Sequence, residues 1–153
     1  MNAKIIVLLL FPLWGCFAQN LNIRYSDTLV MYEKVLTQCI KEHNDHELDC
    51  RKEYYHALQD YESDVFYAVR KVKEKTKTAA EIEAMNVAEG EWKRSSYWYI
   101  AKLMKEFKDK HPGKFVWDKD VDLKVDTRIF YIKTAQYFTD RMNYLLSLIK
   151  DSQ

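Results

Sequence analysis

Apolar side chains recur at three- and four-residue steps along most of the chain, which is the spacing of one face of an α-helix. Four stripes of this kind predict helices at about 26–43, 45–75, 78–107 and 129–149. The last stripe consists of Ile129, Ile132, Ala135, Phe138, Met142, Leu145 and Ile149. The pattern therefore predicts an all-α fold, a helical bundle of about four helices joined by short connections.

The third helix has signals at both ends. Thr78 and Glu81 have the spacing of a capping box, in which each side chain bonds the backbone N–H of the other residue. Pro112 and Gly113 end the helix, because Pro lacks an N–H and Gly tolerates a left-handed turn. In residues 114–126 apolar positions alternate with charged ones, so a short strand and a helix entrance both remain open.

Residues 1–18 have the pattern of a cleaved signal peptide. An apolar run too short to span a bilayer follows Lys4, and Cys16 and Ala18 place small residues at a signal-peptidase site. We therefore expect an exported protein, periplasmic or secreted, with one helical domain over 19–153 and no transmembrane segment. The alternative is a lipoprotein anchored through Cys16, but Trp14 is bulkier than the residues usual at its position in a lipobox.

Cys39 and Cys50 remain in the exported domain, and two cysteines in such a chain predict a disulfide. On one straight helix they would lie roughly 16 Å apart, beyond the reach of an S–S bond. Asn44 and Glu47, between them, have capping-box spacing. We therefore expect a turn at 44–45 that brings the two cysteines together across a helical hairpin.

Composition and charge narrow the classes of function. The 153 residues carry a formal net charge of +1, whereas a nucleic-acid-binding domain has a concentrated basic excess. Three Gly and two Pro leave little material for a phosphate-binding loop. We therefore expect no nucleic-acid partner and no nucleotide site.

Candidate catalytic and metal-binding residues are few. The sequence has no motif of a serine hydrolase or a zinc protease, and His56 and His111 are isolated. His43 and His46 lie on both sides of the predicted turn without a third obvious ligand. Neighbouring carboxylates of the third helix lie two residues apart and point to different faces. We expect no enzyme, no metal and no other cofactor.

Two aromatic segments are candidates for binding. Tyr97, Trp98 and Tyr99 cannot share one helix face, so at least one of them should be exposed. Trp117 lies in the loop after the third helix, where it either meets a partner or folds back to close the end of the bundle. Exposed aromatic side chains of this kind are typical anchors of protein interfaces.

Several segments resemble the LprI-like lysozyme-inhibitor family, small exported helical domains of bacteria. Ala88 to Trp92 is similar to the Ala-(Gln/Glu)-x-x-Trp signature of that family, and 138–145, with Thr139 and Arg141, to its Leu-Thr-x-x-Arg-x-x-x-Leu motif. Residues 95–97 depart from the aromatic-Arg-Asp that follows the signature, and Ile100 replaces a family Cys. The usual long-range disulfide therefore cannot form, which leaves Cys50 as a local partner for Cys39.

The resemblance implies a scaffold with Trp92 as its central aromatic and Arg141 bridging helices through a carboxylate. It also implies inhibition of a lysozyme by occlusion, without catalysis. Because lysozymes are cationic, we expect an acidic surface to meet one. The candidates are Glu81, Glu83, Glu89 and Glu91. The alternative function is a non-catalytic envelope structural or adaptor protein, or lipoprotein, that presents Trp98 or Trp117 to another envelope protein.

Overall fold

The computed structural model describes residues 13–150, with side chains for 23–149. It contains four helices: α1 (Leu13–Glu42), α2 (Glu47–Lys73), α3 (Ala79–Lys110) and α4 (Lys124–Lys150). Short 3-10 turns at Asn44–His46 and Val121–Leu123 precede α2 and α4. The described residues contain no strand, so the all-α prediction is confirmed and 114–126 form a loop and a helix entrance. Residues 1–12 of the predicted leader, and the side chain of Cys16, lie outside this description.

Helices α2 and α4 form the centre of the bundle. Helix α1 packs against both of them, and α3 packs against both without contacting α1. The main core consists of apolar side chains buried between these helices, among them Leu58, Val65, Val69, Met142, Leu145 and Ile149. A second cluster closes the end where α3 meets α4, with Leu103, Phe107, Val116, Leu123, Phe130 and Tyr131.

The buried face of α4 differs from the predicted stripe in its first two turns. Ile129 and Ile132 are exposed, whereas Phe130 and Tyr131 are buried. From Ala135 onward the predicted stripe is buried as expected. Thr127 and Thr134 are also buried on the inner face, and these polar residues interrupt its apolar pattern. The apolar positions alone therefore indicate the wrong face at the start of this helix.

The hairpin of α1 and α2 has the predicted disulfide. Cys39 and Cys50 are bonded, with their Cα atoms 5.9 Å apart across the turn. The predicted capping box of Asn44 and Glu47 is wrong, because α2 begins after His46 without a side-chain cap. Residues 44–46 form a 3-10 turn there, and the Glu47 carboxylate instead accepts hydrogen bonds from Arg51 and Arg128.

The predicted boundaries of α3 are confirmed. Thr78 Oγ1 accepts the N–H of Glu81 at 3.3 Å, and Glu81 Oε2 accepts the N–H of Thr78 at 2.8 Å. Lys77 pairs with the same carboxylate, and these hydrogen bonds lower the pKa of Glu81 to about 2. Beyond the other end, Gly113 adopts a φ of 79°, the left-handed conformation that glycine tolerates.

Candidate functional site

A buried ionic cluster joins three helices. Arg141 on α4 donates from Nη2 to Glu89 Oε2 on α3 at 2.6 Å, and from Nε to Glu62 Oε1 on α2 at 3.4 Å. Its guanidinium carbon also lies 4.9 Å from the centre of the Trp92 ring. We interpret the cluster as scaffold, because its three charged side chains are almost inaccessible to a ligand.

The two carboxylates of this cluster are not equivalent. Burial, with a further contribution from the nearby Glu89 charge, raises the pKa of Glu62 to about 7, and Arg141 only partly opposes the shift. Glu89 holds the shorter hydrogen bond to Arg141 and also pairs with Lys93 at 3.2 Å. A single guanidinium therefore leaves Glu62 as the carboxyl group that accepts a proton near neutral pH.

The predicted acidic surface on α3 needs correction. Glu89 is only 5% exposed, since its carboxylate faces the core and Arg141 rather than solvent. Glu81 is exposed, but its carboxylate is engaged in the capping box and with Lys77. Glu83 and Glu91 remain as exposed carboxylates of this stretch.

An aromatic stack attaches α3 to α4. The Tyr137 ring lies between Trp92 and Tyr99, with centroids 5.9 Å and 4.4 Å away and interplanar angles of 14° in both pairs. Trp92 is only partly buried and Ala88 is exposed, so in this matched segment Trp92 packs at the edge of the core and is not the central aromatic that the resemblance implied. Thr139, in the other matched segment, is partly buried and hydrogen-bonds Tyr54.

The outer face of α3 carries the most exposed aromatic side chains of the described helices. Trp98 is 68% exposed, and its ring meets that of Tyr97, also exposed, edge to face at 5.5 Å. Val87, Glu91 and Arg94 precede Trp98 at steps of three and four residues and are exposed as well. The prediction that the 97–99 aromatics cannot all be buried is confirmed.

The loop after α3 presents a second aromatic site. Trp117 is 55% exposed and stacks on Phe115, with ring centroids 4.8 Å apart. Val116, between them, is buried and closes the end of the bundle, so the expectation that Trp117 might serve as the plug is wrong. Two hydrogen bonds between Phe115 and Asp118 hold the tight turn that carries Val116 and Trp117.

A cleft of about 630 Å³ lies beside Trp117. Its walls are the 44–49 turn, the 116–121 loop and the start of α4. Two ion pairs tie the walls together, Arg128 with Glu47 at 2.6 Å and Lys119 with Asp49 at 3.8 Å. Sequence reasoning missed this cleft, because its walls come from three separate segments and have no shared motif.

The histidines have local partners. His46 lies near the disulfide turn with its Nδ1 atom 3.4 Å from Asp49 Oδ2. His111 is not isolated: it contacts Asp126 at 2.9 Å, and Lys110 binds the same carboxylate at 2.8 Å. No group of three potential metal ligands occurs among the described residues.

Comparison of the chain with protein-family models, with curated proteins and with solved structures finds no match. Within residues 13–150, none of the helices combines the length and apolarity needed to cross a bilayer. The exposed surfaces are therefore the guide to function. The most prominent are the Trp98 face of α3 and the cleft beside Trp117, both of which carry exposed aromatic side chains.

Proposed function

We propose that the chain is an exported, non-catalytic protein that binds a partner protein through the outer face of α3, and that the partner is a lysozyme. The observation that carries this proposal is the exposure of Trp98 and Tyr97 side by side on a long helix. Neither side chain is needed for the core, whereas the opposite face of α3 is fixed by the Arg141 cluster and the Tyr137 stack.

The residue types on this face suit a protein interface. Trp, Tyr and Arg dominate the energetic centres of protein interfaces, and Arg94 lies one helical turn before Trp98. Because α3 is already anchored through its inner face, docking would order side chains but no backbone, which keeps the entropic cost low. The face is therefore suited to blocking a partner by occlusion.

The choice of a lysozyme rests on the family resemblance and on charge. A cationic partner favours exposed carboxylates, and Glu83 and Glu91 provide them on α3. Charge reversal at Glu91 tests this contribution without disturbing the fold. The same change at Glu81 would also remove the helix cap, and at Glu89 it would break the pair with Arg141.

The decisive experiment is lysozyme turnover on cell-wall substrate with a stoichiometric excess of the purified protein. We expect inhibition, and W98A should weaken it about 30-fold, the effect of losing an interface anchor worth about 2 kcal/mol. W117A is the matched control and should inhibit normally. Absence of inhibition across several lysozyme types would contradict the choice of partner.

The second candidate is an envelope adaptor, favoured by the presence of exposed aromatics at two separate places. Such a protein would hold one partner at Trp98 and present Trp117 to another. Capture from an envelope extract, compared between the wild type and W98A, tests this function. Intact mass tests the anchoring, because lipidation leaves Cys16 at the N-terminus and soluble export leaves Gln19.

A further inference from the structure

We propose that the cleft beside Trp117 binds an uncharged oligosaccharide. This inference goes beyond the protein-binding function, since the cleft is built by the 44–49 turn, the 116–121 loop and α4, whereas Trp98 lies on the outer face of α3. The volume of about 630 Å³ falls within the range of roughly 300–1,000 Å³ of small-ligand sites.

Trp117 forms an aromatic wall of the cleft. The Trp117 ring is more than half exposed, and its orientation is fixed by the parallel ring of Phe115 behind it, at an interplanar angle of 11°. Lys108 Nζ lies 4.5 Å from the centre of the Phe115 ring and adds a cation–π contact. An indole held in this way offers a flat apolar surface with a polar N–H, which suits the C–H face and hydroxyl rim of a pyranose.

The wall of the cleft also contains a hydroxyl group without a hydrogen-bond partner among the described residues. Thr127 lines the cleft and is 1% exposed, and its Oγ1 has no hydrogen-bond partner among the described residues. A helical threonine usually donates to the carbonyl four residues earlier, as Thr134 does to Phe130 at 2.8 Å. A buried hydroxyl without a partner costs free energy. Because Thr127 is almost fully covered, a ligand hydroxyl reaches Oγ1 only when this side chain turns toward the cleft, and the new hydrogen bond then recovers that cost.

The charges on the walls of the cleft favour an uncharged ligand. Carboxylates and cationic side chains line the cleft in nearly equal number, and Glu47 with Arg128 and Asp49 with Lys119 are already paired across it. A phosphate would meet a carboxylate beside each cation of the cleft. An oligolysine would meet a cation beside each carboxylate. A polyhydroxylated, uncharged ligand can instead donate to the carboxylates and accept from the cations.

The cleft is also held in shape before any ligand binds. The Cys39–Cys50 disulfide fixes the hairpin that carries one wall, and Asp118 fixes the turn that carries Trp117. Binding would therefore require little ordering of the protein.

The test is titration of the purified protein with three uncharged trisaccharides, cellotriose, maltotriose and N,N′,N″-triacetylchitotriose, followed by tryptophan fluorescence and calorimetry. We expect at least one trisaccharide to bind with one-to-one stoichiometry, W117A to weaken this binding at least tenfold, and W98A to leave it unchanged. Binding unaffected by W117A, tighter binding of inorganic phosphate or trilysine, or no binding of any trisaccharide at millimolar concentration would each overturn the proposal. None of these outcomes bears on lysozyme inhibition, which depends on Trp98.

T127V provides a second, independent measurement, since valine preserves the shape of threonine and removes only the hydroxyl. We expect T127V to weaken trisaccharide binding about tenfold, the loss of one hydrogen bond. Without ligand its melting temperature should be equal to or above that of the wild type, because an unpaired hydroxyl is removed. Unchanged affinity would overturn the role of Thr127 as a ligand-binding group.

Discussion

At the scale of single residues, the main feature of the core is a charge imbalance. Glu62 and Glu89 share one buried guanidinium, that of Arg141, and the closer contact belongs to Glu89. The pKa of Glu62 is raised to about 7, so this carboxyl group binds a proton in the folded protein at pH values where it is ionised in the unfolded chain. Its contribution to stability is fully present below pH 4.5 and is lost as the pH rises through 7.

E62Q should remove this pH dependence. Glutamine resembles the protonated carboxyl group, so the variant should match the wild type near pH 5 and exceed its free energy of unfolding by about 1–3 kcal/mol at pH 8. Urea unfolding at both pH values measures the difference. A variant less stable than the wild type at pH 8 would contradict the assignment of the raised pKa.

E89Q is the matched control within the same cluster. It removes the carboxylate that holds Arg141 at 2.6 Å and leaves only the longer contact with Glu62 at 3.4 Å, so we expect E89Q to be less stable than E62Q in the same urea unfolding at pH 8.

The burial of Glu62 and Glu89 could not be predicted from the sequence. Only a resemblance to a family motif singles out Arg141. Nothing local distinguishes Glu62 or Glu89 from solvated helical carboxylates, since their partner lies 79 and 52 residues away in the chain. Burial of a charge is decided by tertiary packing, which an amphipathic pattern does not encode.

At the scale of elements, two glycines of α3 and its C-terminal turn differ in whether the backbone conformation requires a glycine. Gly113 follows α3 with a positive φ that a Cβ atom would strain, whereas Gly90 lies inside α3 with open space around the position of a Cβ. Only the first glycine is required by the backbone.

G113A should therefore lower the free energy of unfolding by about 1 kcal/mol, and G90A should raise it by about 0.5–1 kcal/mol. Thermal unfolding of the two variants beside the wild type measures both shifts. Equal shifts of the same sign would show that backbone conformation does not determine the end of α3.

Element boundaries were predictable wherever a local signal specifies them. Thr78 with Glu81, and Gly113, set the ends of α3 through backbone hydrogen bonds and φ, which depend on few neighbours. The buried face in the first turns of α4 could not be predicted, because the sequence does not distinguish the buried Thr127 and Thr134 from exposed threonines. The path of the 115–118 turn likewise decides that Val116 is buried and Trp117 is exposed.

At the scale of the whole molecule, the two proposed surfaces belong to different parts of one rigid bundle. Trp98 packs against Tyr97 on the outer face of α3, whereas Trp117 stacks on Phe115 beside Met104 and Lys108, further along the same helix. Residues with separate partners usually act independently. The sequence predicted that aromatics would be exposed, but the cleft required the meeting of segments distant in the chain.

We therefore expect the two surfaces to be occupied at the same time. A saturating concentration of the bound trisaccharide should leave the affinity for the partner protein unchanged within twofold, and the W98A and W117A effects should be additive in free energy. Competition between the ligands in a calorimetric titration would show that they share a surface.

The disulfide also has a consequence for where the protein matures. A bond between Cys39 and Cys50 forms in an oxidising compartment and not in the reducing cytosol, so under the proposed export the α1–α2 hairpin would gain this covalent link only after the chain has left the cytosol. In a newly made chain inside the cell, the 44–49 wall of the cleft would lack its disulfide, whereas α3 would already be complete. Protein produced in a reducing cytoplasm should therefore bind its partner at Trp98 but bind the saccharide more weakly. Oxidation that forms the Cys39–Cys50 bond should restore the full saccharide affinity.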